Sequence, residues 1–110
     1  MADDRLSLVF GALADPTRRD ILTRLARSAA TVGDLAANYE ISRPAISQHL
    51  AVLERAGLIE RTVRAQWREC RFREEGLDEA SEWIAEQKAD WSERFDLLDE
   101  HLRRRREEER

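Results

Sequence analysis

Ser42-Arg43-Pro44-Ala45-Ile46-Ser47-Gln48-His49-Leu50-Ala51-Val52-Leu53-Glu54-Arg55-Ala56-Gly57 is the stretch on which the fold turns. Ser42 is a strong helix cap, Pro44 falls in the first turn where its missing N–H costs nothing, and Gly57 is the expected terminator. Between them Ile46, Leu50 and Leu53 recur at helical spacing and draw one apolar line along the element. Arg43, Pro44, Ser47, Gln48 and Ala51 then lie on the opposite side. Those side chains suit a DNA major groove, because arginine pairs bidentately with guanine, glutamine with adenine, and serine with either. A helix serving only solubility more usually shows long charged pairs at four-residue spacing.

Upstream, Thr31-Val32-Gly33-Asp34 is a variant capping box and opens a third helix of barely two turns. It ends near Asn38, which tolerates the left-handed conformation of a tight turn. Asp15 caps a second helix running from about Pro16 to Ala26, with Ile21, Leu22 and Leu25 inward and Arg18, Arg19 and Arg24 outward. Leu6, Val9, Phe10 and Leu13 carry the same period and predict a short first helix.

Downstream of Gly57 the period changes. Leu58, Glu60, Thr62 and Arg64 alternate with Ile59, Arg61 and Val63 as in a strand, and Trp67 to Arg73 can pair back through a turn at Ala65-Gln66. From Leu77 the helical period returns for nearly thirty residues, with Leu77, Ile84, Trp91 and Leu98 seven apart, and Phe95 and Leu102 four after the last two. The pattern predicts a last helix over about 76–102 and a charged tail, 103–110, that frays. The fold read from this order is mainly α with a small β-hairpin: a single winged helix-turn-helix domain over 1–110, five helices and a two-stranded wing, dimerising through its terminal helices. Its fourth helix would enter the major groove.

Composition bounds the function. Of 110 residues, 42% are apolar and 38% charged, and no run approaches the roughly 18 apolar residues of a membrane span. The acidic start, Asp3-Asp4, is unlike a signal peptide, so the expected location is the cytoplasm. A lone Cys70 excludes an internal disulfide. The net charge of -4 hides a division: residues 43–73 hold seven Arg against three Glu, and residues 74–100 hold eleven acids against two bases. A basic working surface beside an acidic element that faces elsewhere fits a polyanion binder. Neither a Ser, His and Asp arrangement nor a glycine-rich phosphate loop nor a paired-acid site stands out, so no enzyme and no cofactor is expected.

The apolar stripe of the last helix is wider than a small domain covers alone, and about thirty residues of helix reach roughly 45 Å. Leu77, Ile84, Trp91, Phe95, Leu98 and Leu102 are therefore candidate dimer contacts, with Leu6, Val9 and Phe10 of the first helix as a second apolar surface.

The stretches Ala12-Leu13-Ala14-Asp15-Pro16-Thr17-Arg18-Arg19, Ile21-Leu22, Ser42 to Leu50, Leu53 and Ala56-Gly57-Leu58-Ile59 together resemble the ArsR-type family of bacterial winged-helix repressors, over residues 6 to about 102. The resemblance implies a homodimeric regulator that binds double-stranded DNA, and it implies that His49 stands at or near the DNA. Geometry leaves His49 open, since it borders the buried stripe and suits a core-edge histidine equally well. The candidate DNA contacts are Ser42, Arg43, Pro44, Ser47, Gln48 and His49, with Arg64 and Arg68 on the wing.

The resemblance also implies that metal-sensing members keep a Cys-x-Cys type site on the third helix or an Asp and His site on the last. Here the third helix has no thiolate or imidazole, and the last offers only His101 beside Asp96, Asp99 and Glu100. Trp83 and Trp91 resemble a branch without a metal site, and no metal is expected. The alternatives are a metal- or thiol-responsive sensor using Cys70, and a protein-interaction module on a winged-helix scaffold. No small-molecule effector is named by the pattern.

Overall fold

The computed structural model describes residues 4–64 and 66–109, with Arg64 described through its backbone alone. The elements are α1 (Arg5–Leu13), α2 (Pro16–Arg27), β1 (Ala30–Thr31), α3 (Val32–Ala36), α4 (Arg43–Arg55), β2 (Ile59–Arg64), β3 (Trp67–Phe72), a 3-10 turn (Glu74–Leu77) and α5 (Asp78–Glu108). The chain divides after Ala80 into two units. No helix among the described residues is long and apolar enough to cross a membrane.

Capping accounts for where the first four helices begin. Asp4 accepts from Ser7 N at 2.6 Å, Asp15 from Arg18 N at 3.0 Å, and Ser42 from Ala45 N at 3.2 Å. Thr31 and Asp34 exchange bonds of 3.1 and 3.3 Å in a complete capping box. Each cap satisfies an N–H that has no partner within its helix. The Ser7 and Arg18 backbone donors hold the Asp4 and Asp15 carboxyls below the usual range.

In the first unit α1, α2, α3 and α4 close over a small sheet. Ile21, Ile46, Leu50, Leu53 and Leu58 are fully buried, and Leu22, Leu25, Leu35 and Ile59 nearly so. Burying each such side chain contributes about 1.5–3 kcal/mol.

Several expectations are corrected here. The hairpin has a third partner: β1 pairs antiparallel with β3, Ala30 opposite Cys70 and Thr31 opposite Glu69, so the sheet order is β1-β3-β2. Val9 is 0% exposed and belongs to the core rather than to an interface, because the inner line of α1 runs through Val9 and Ala12. Leu6, Phe10 and Leu77 are half-buried against that same core. Arg18 does not project outward but folds back on α1, its Nε donating to Ala12 O at 2.8 Å. Helix α5 continues through Glu108 instead of fraying after residue 102. Pairs of Arg103 with Asp99 (3.0 Å) and Arg104 with Glu100 (3.6 Å) support those turns at four-residue spacing. Ala65 of the expected turn lies outside the described residues, as does Arg110 of the charged tail.

The wing is pinned at its base. Gly57 ends α4 with φ +76, a conformation that only glycine adopts freely. Gly76 packs so closely on the Gly57 carbonyl that a β-carbon there would collide with it. Beside them Arg73 N donates to Leu58 O at 2.8 Å.

Candidate nucleic-acid interface

Helix α4 is split by its burial. Ile46, Leu50 and Leu53 face the core at 0% exposure, while Ser42, Arg43, Pro44, Gln48 and Ala51 are exposed. Ser47 is half-buried, and its carbonyl accepts from Arg61 Nη2 at 3.4 Å. Arg61 also lies 3.8 Å from Glu54, so a β2 side chain spans two turns of α4 and holds the wing to it. Its Nε is enclosed with no hydrogen-bond partner among the described residues. His49, also half-buried, sits with its Nδ1 3.3 Å from Arg18 Nη1.

Arg43 and Arg68 come together. They line one cleft of about 490 Å³ with Thr31, Val32, Gly33 and Asp34 on one wall and Gln66 and Trp67 on the wing side. Gly33 leaves room here, since a β-carbon would stand 3.3 Å from the Arg43 guanidinium and displace that side chain by a few tenths of an ångström. Asp34 is tied to the Thr31 N–H by the capping box and keeps its negative charge, so two arginines from different elements outweigh one carboxylate in the lining. Trp67 is 61% exposed beside them. An open wall of guanidinium and indole suits a sugar-phosphate strand. The sequence reading missed Trp67, Gln66, Gly33 and Arg61; only Trp67 carried a signal, an aromatic side chain next to Arg68 at a hairpin tip. The Arg64 side chain lies outside what is described, and its backbone pairs with Trp67.

A family model for bacterial regulatory proteins of the arsR family matches residues 15–61. The crystal structure of an ArsR family transcriptional regulator superposes with a TM-score of 0.75 at 37% identity, covering 84% of this chain and 97% of that one. The chain belongs to the ArsR family. It is similar to the HTH-type transcriptional regulator Rv2034 of Mycobacterium tuberculosis, 56% identical over 48 residues, which are 44% of this chain and 45% of that protein. It is also similar to the transcriptional repressor SdpR of Bacillus subtilis, 49% identical over 51 residues, 46% of this chain and 57% of that one. This ArsR-family chain thus spans about half the length of the curated relatives it matches.

The second unit of the ArsR-family chain is helical and carries the rest of the expected stripe. Ile84 (43%), Trp91 (57%), Phe95 (60%), Leu98 (53%) and Leu102 (45%) are all exposed. The rings of Trp91 and Phe95 lie tilted by 34° with centroids 5.9 Å apart, and a shallow apolar groove runs from Trp83 to Phe95.

The sensor alternatives fare differently in geometry. Cys70 is 1% exposed, and burial pushes its thiol pKa up, against the pull of Arg61, which keeps it a poor nucleophile and metal ligand. Around His101 the neighbouring acids Asp99 and Glu100 are already paired with arginines. Among the described residues no group of three His, Cys, Asp or Glu could hold a metal ion.

Proposed function

We propose that this chain is a homodimeric DNA-binding transcriptional regulator, a repressor that acts on a palindromic operator in the cytoplasm. The observation that carries it is the convergence of Arg43, at the start of α4, with Arg68 of the wing on one open cleft, with Gln48 exposed farther along the same helix. A helix presented in this way can lie in the major groove while the wing follows the adjoining backbone. In this reading Arg43, Arg64 and Arg68 neutralise phosphates, Gln48 and Ser47 meet base edges, and Ser42 and Pro44 set the start of the helix. The relatives named as regulators and a repressor support it.

One winged helix covers too little DNA for a specific site, so two are needed about one helical turn apart. The exposed stripe from Ile84 to Leu102 is the surface for a second copy of the chain, and Leu6 and Phe10 of the first unit are further candidate contacts. Selection of bound fragments from the source genome with purified protein tests the reading. A recovered palindrome with half-sites about 10 base pairs apart supports it; recovery of fragments with no common site overturns it.

A further inference from the structure

The start of α2 and the flank of α4 share a hydrogen-bond cluster. Arg18 donates through Nε to Ala12 O at 2.8 Å and through Nη2 to Gly11 O at 3.1 Å. Both carbonyls belong to the last turn of α1, where acceptors look beyond the helix for donors. Its backbone N–H is held by Asp15 at 3.0 Å. The guanidinium plane is therefore fixed by groups that owe nothing to histidine. Its remaining nitrogen, Nη1, lies 3.3 Å from His49 Nδ1. Arginine has five donors and no acceptor, so the Nδ1 it meets must present a lone pair. A neutral ring so held carries its proton on Nε2.

We propose that Arg18 is a positioning residue that fixes His49 as the Nε2–H tautomer, giving each α4 one neutral donor aimed at a DNA phosphate oxygen. The phosphate part rests on the DNA-binding reading above; the tautomer does not. His49 follows the exposed Gln48 by one residue, about 100° round the helix, and is half-buried. A side chain on that shoulder of a groove-bound helix meets the flanking backbone before it meets base edges. Because the donor is uncharged, it adds a directional contact without displacing a counterion.

Two substitutions separate the ring nitrogens. His49→Gln places an amide N–H near Nε2 and gives up the acceptor for Arg18, whereas His49→Asn keeps an acceptor near Nδ1 and loses the distal donor. The glutamine variant should bind DNA within about threefold of the wild type. The asparagine variant should lose about ten- to hundredfold across the two subunits of a dimer, equally on the best site and on unrelated sequence, with an unchanged salt slope. Thermal melting of each variant establishes that it folds.

A long-range proton–nitrogen spectrum of the free wild-type protein reads the tautomer with no DNA present. A protonated Nε2 and a bare Nδ1 are expected, and in Arg18→Gln a mixture of the two tautomers. A proton on Nδ1 in the wild type overturns the proposal, as does an asparagine variant that binds as tightly as the glutamine one. A loss confined to one base pair overturns the phosphate assignment. Wild-type protein that shows the Nε2–H ring yet binds no DNA removes the proposed function and the phosphate partner, while the role of Arg18 stands on the spectrum.

Discussion

Replacing Trp91 by aspartate separates assembly from folding. Trp91 is 57% exposed in the single chain. A tryptophan presents up to about 250 Å², which leaves about 140 Å² for a partner to cover. At about 25 cal/mol per Å² that is worth ~3.5 kcal/mol in one protomer, and a two-fold interface counts it twice, for an upper value of ~7 kcal/mol. The introduced carboxylate adds the cost of an unpaired charge. Folding should hardly register the change, since substitutions at exposed positions usually stay within about 0.5 kcal/mol. Sedimentation velocity at micromolar protein should therefore show a dimer for the wild type and a monomer for Trp91→Asp, and the variant should still melt cooperatively, at a lower temperature than the dimer that assembly stabilises. Affinity for a palindromic fragment should fall at least about 100-fold, because the second half-site becomes an independent binding event. A Trp91→Asp protein that remains dimeric and still binds the palindrome defeats this account of the stripe. One that unfolds shows that the chain folds only as a dimer.

Three further outcomes follow from the geometry. In the proposed dimer Arg43, Arg64 and Arg68 of two subunits would supply six cations, so the logarithmic salt slope of DNA binding should be about -5; a slope near zero on the best fragment excludes phosphate contacts as its source. Gln48→Ala should relax discrimination by about 1–3 kcal/mol at one position per half-site, whereas Arg68→Ala should weaken all sequences alike, and identical, sequence-independent losses in both variants contradict the groove assignment. Tyr39 is the sole tyrosine, and burial, aided by its 2.5 Å bond to Asp20, pushes its pKa up to about 12. Its folded value lies above the unfolded one of about 10, so its contribution to stability is whole below that pH and is lost as pH rises toward 12. Ultraviolet absorbance titration should place the phenolate midpoint near 12, and a midpoint at the ordinary value shows that the ring is neither buried nor bonded to Asp20 in solution.

The parts legible in the sequence are those governed by local chemistry. Asp15, Thr31 and Ser42 announce their helices because a cap and its recipient are three residues apart, and Gly57 stops α4 for a reason internal to its own backbone. What escaped notice depends on distant pairing. Ala30 and Thr31 are a strand only because β3 lies alongside, and two residues carry no period of their own. Periodicity likewise marks an apolar face without naming its neighbour, which is why Val9 reads as interface and proves to be core. Among the candidate contacts, Gln48 and Arg43 are visible from helical phase. The inward turn of Arg18 and the cleft shared by Arg43 and Arg68 are not, because they involve elements that only the tertiary fold brings together.

The glycine contact at the root of the wing sets apart what is permitted at its tip. With Gly57, Gly76 and the Arg73 to Leu58 bond closing the neck, the hairpin is a tethered loop whose outer end holds no part of the core. Lengthening such a loop costs little, since each doubling of its length adds only about 0.6 kcal/mol of closure entropy. The outer end, where Val63 and Trp67 are exposed, can therefore diverge or grow while the core stays intact. The neck makes the tip an interchangeable cartridge, free to alter the proposed backbone contacts of the wing without disturbing the helices beneath it.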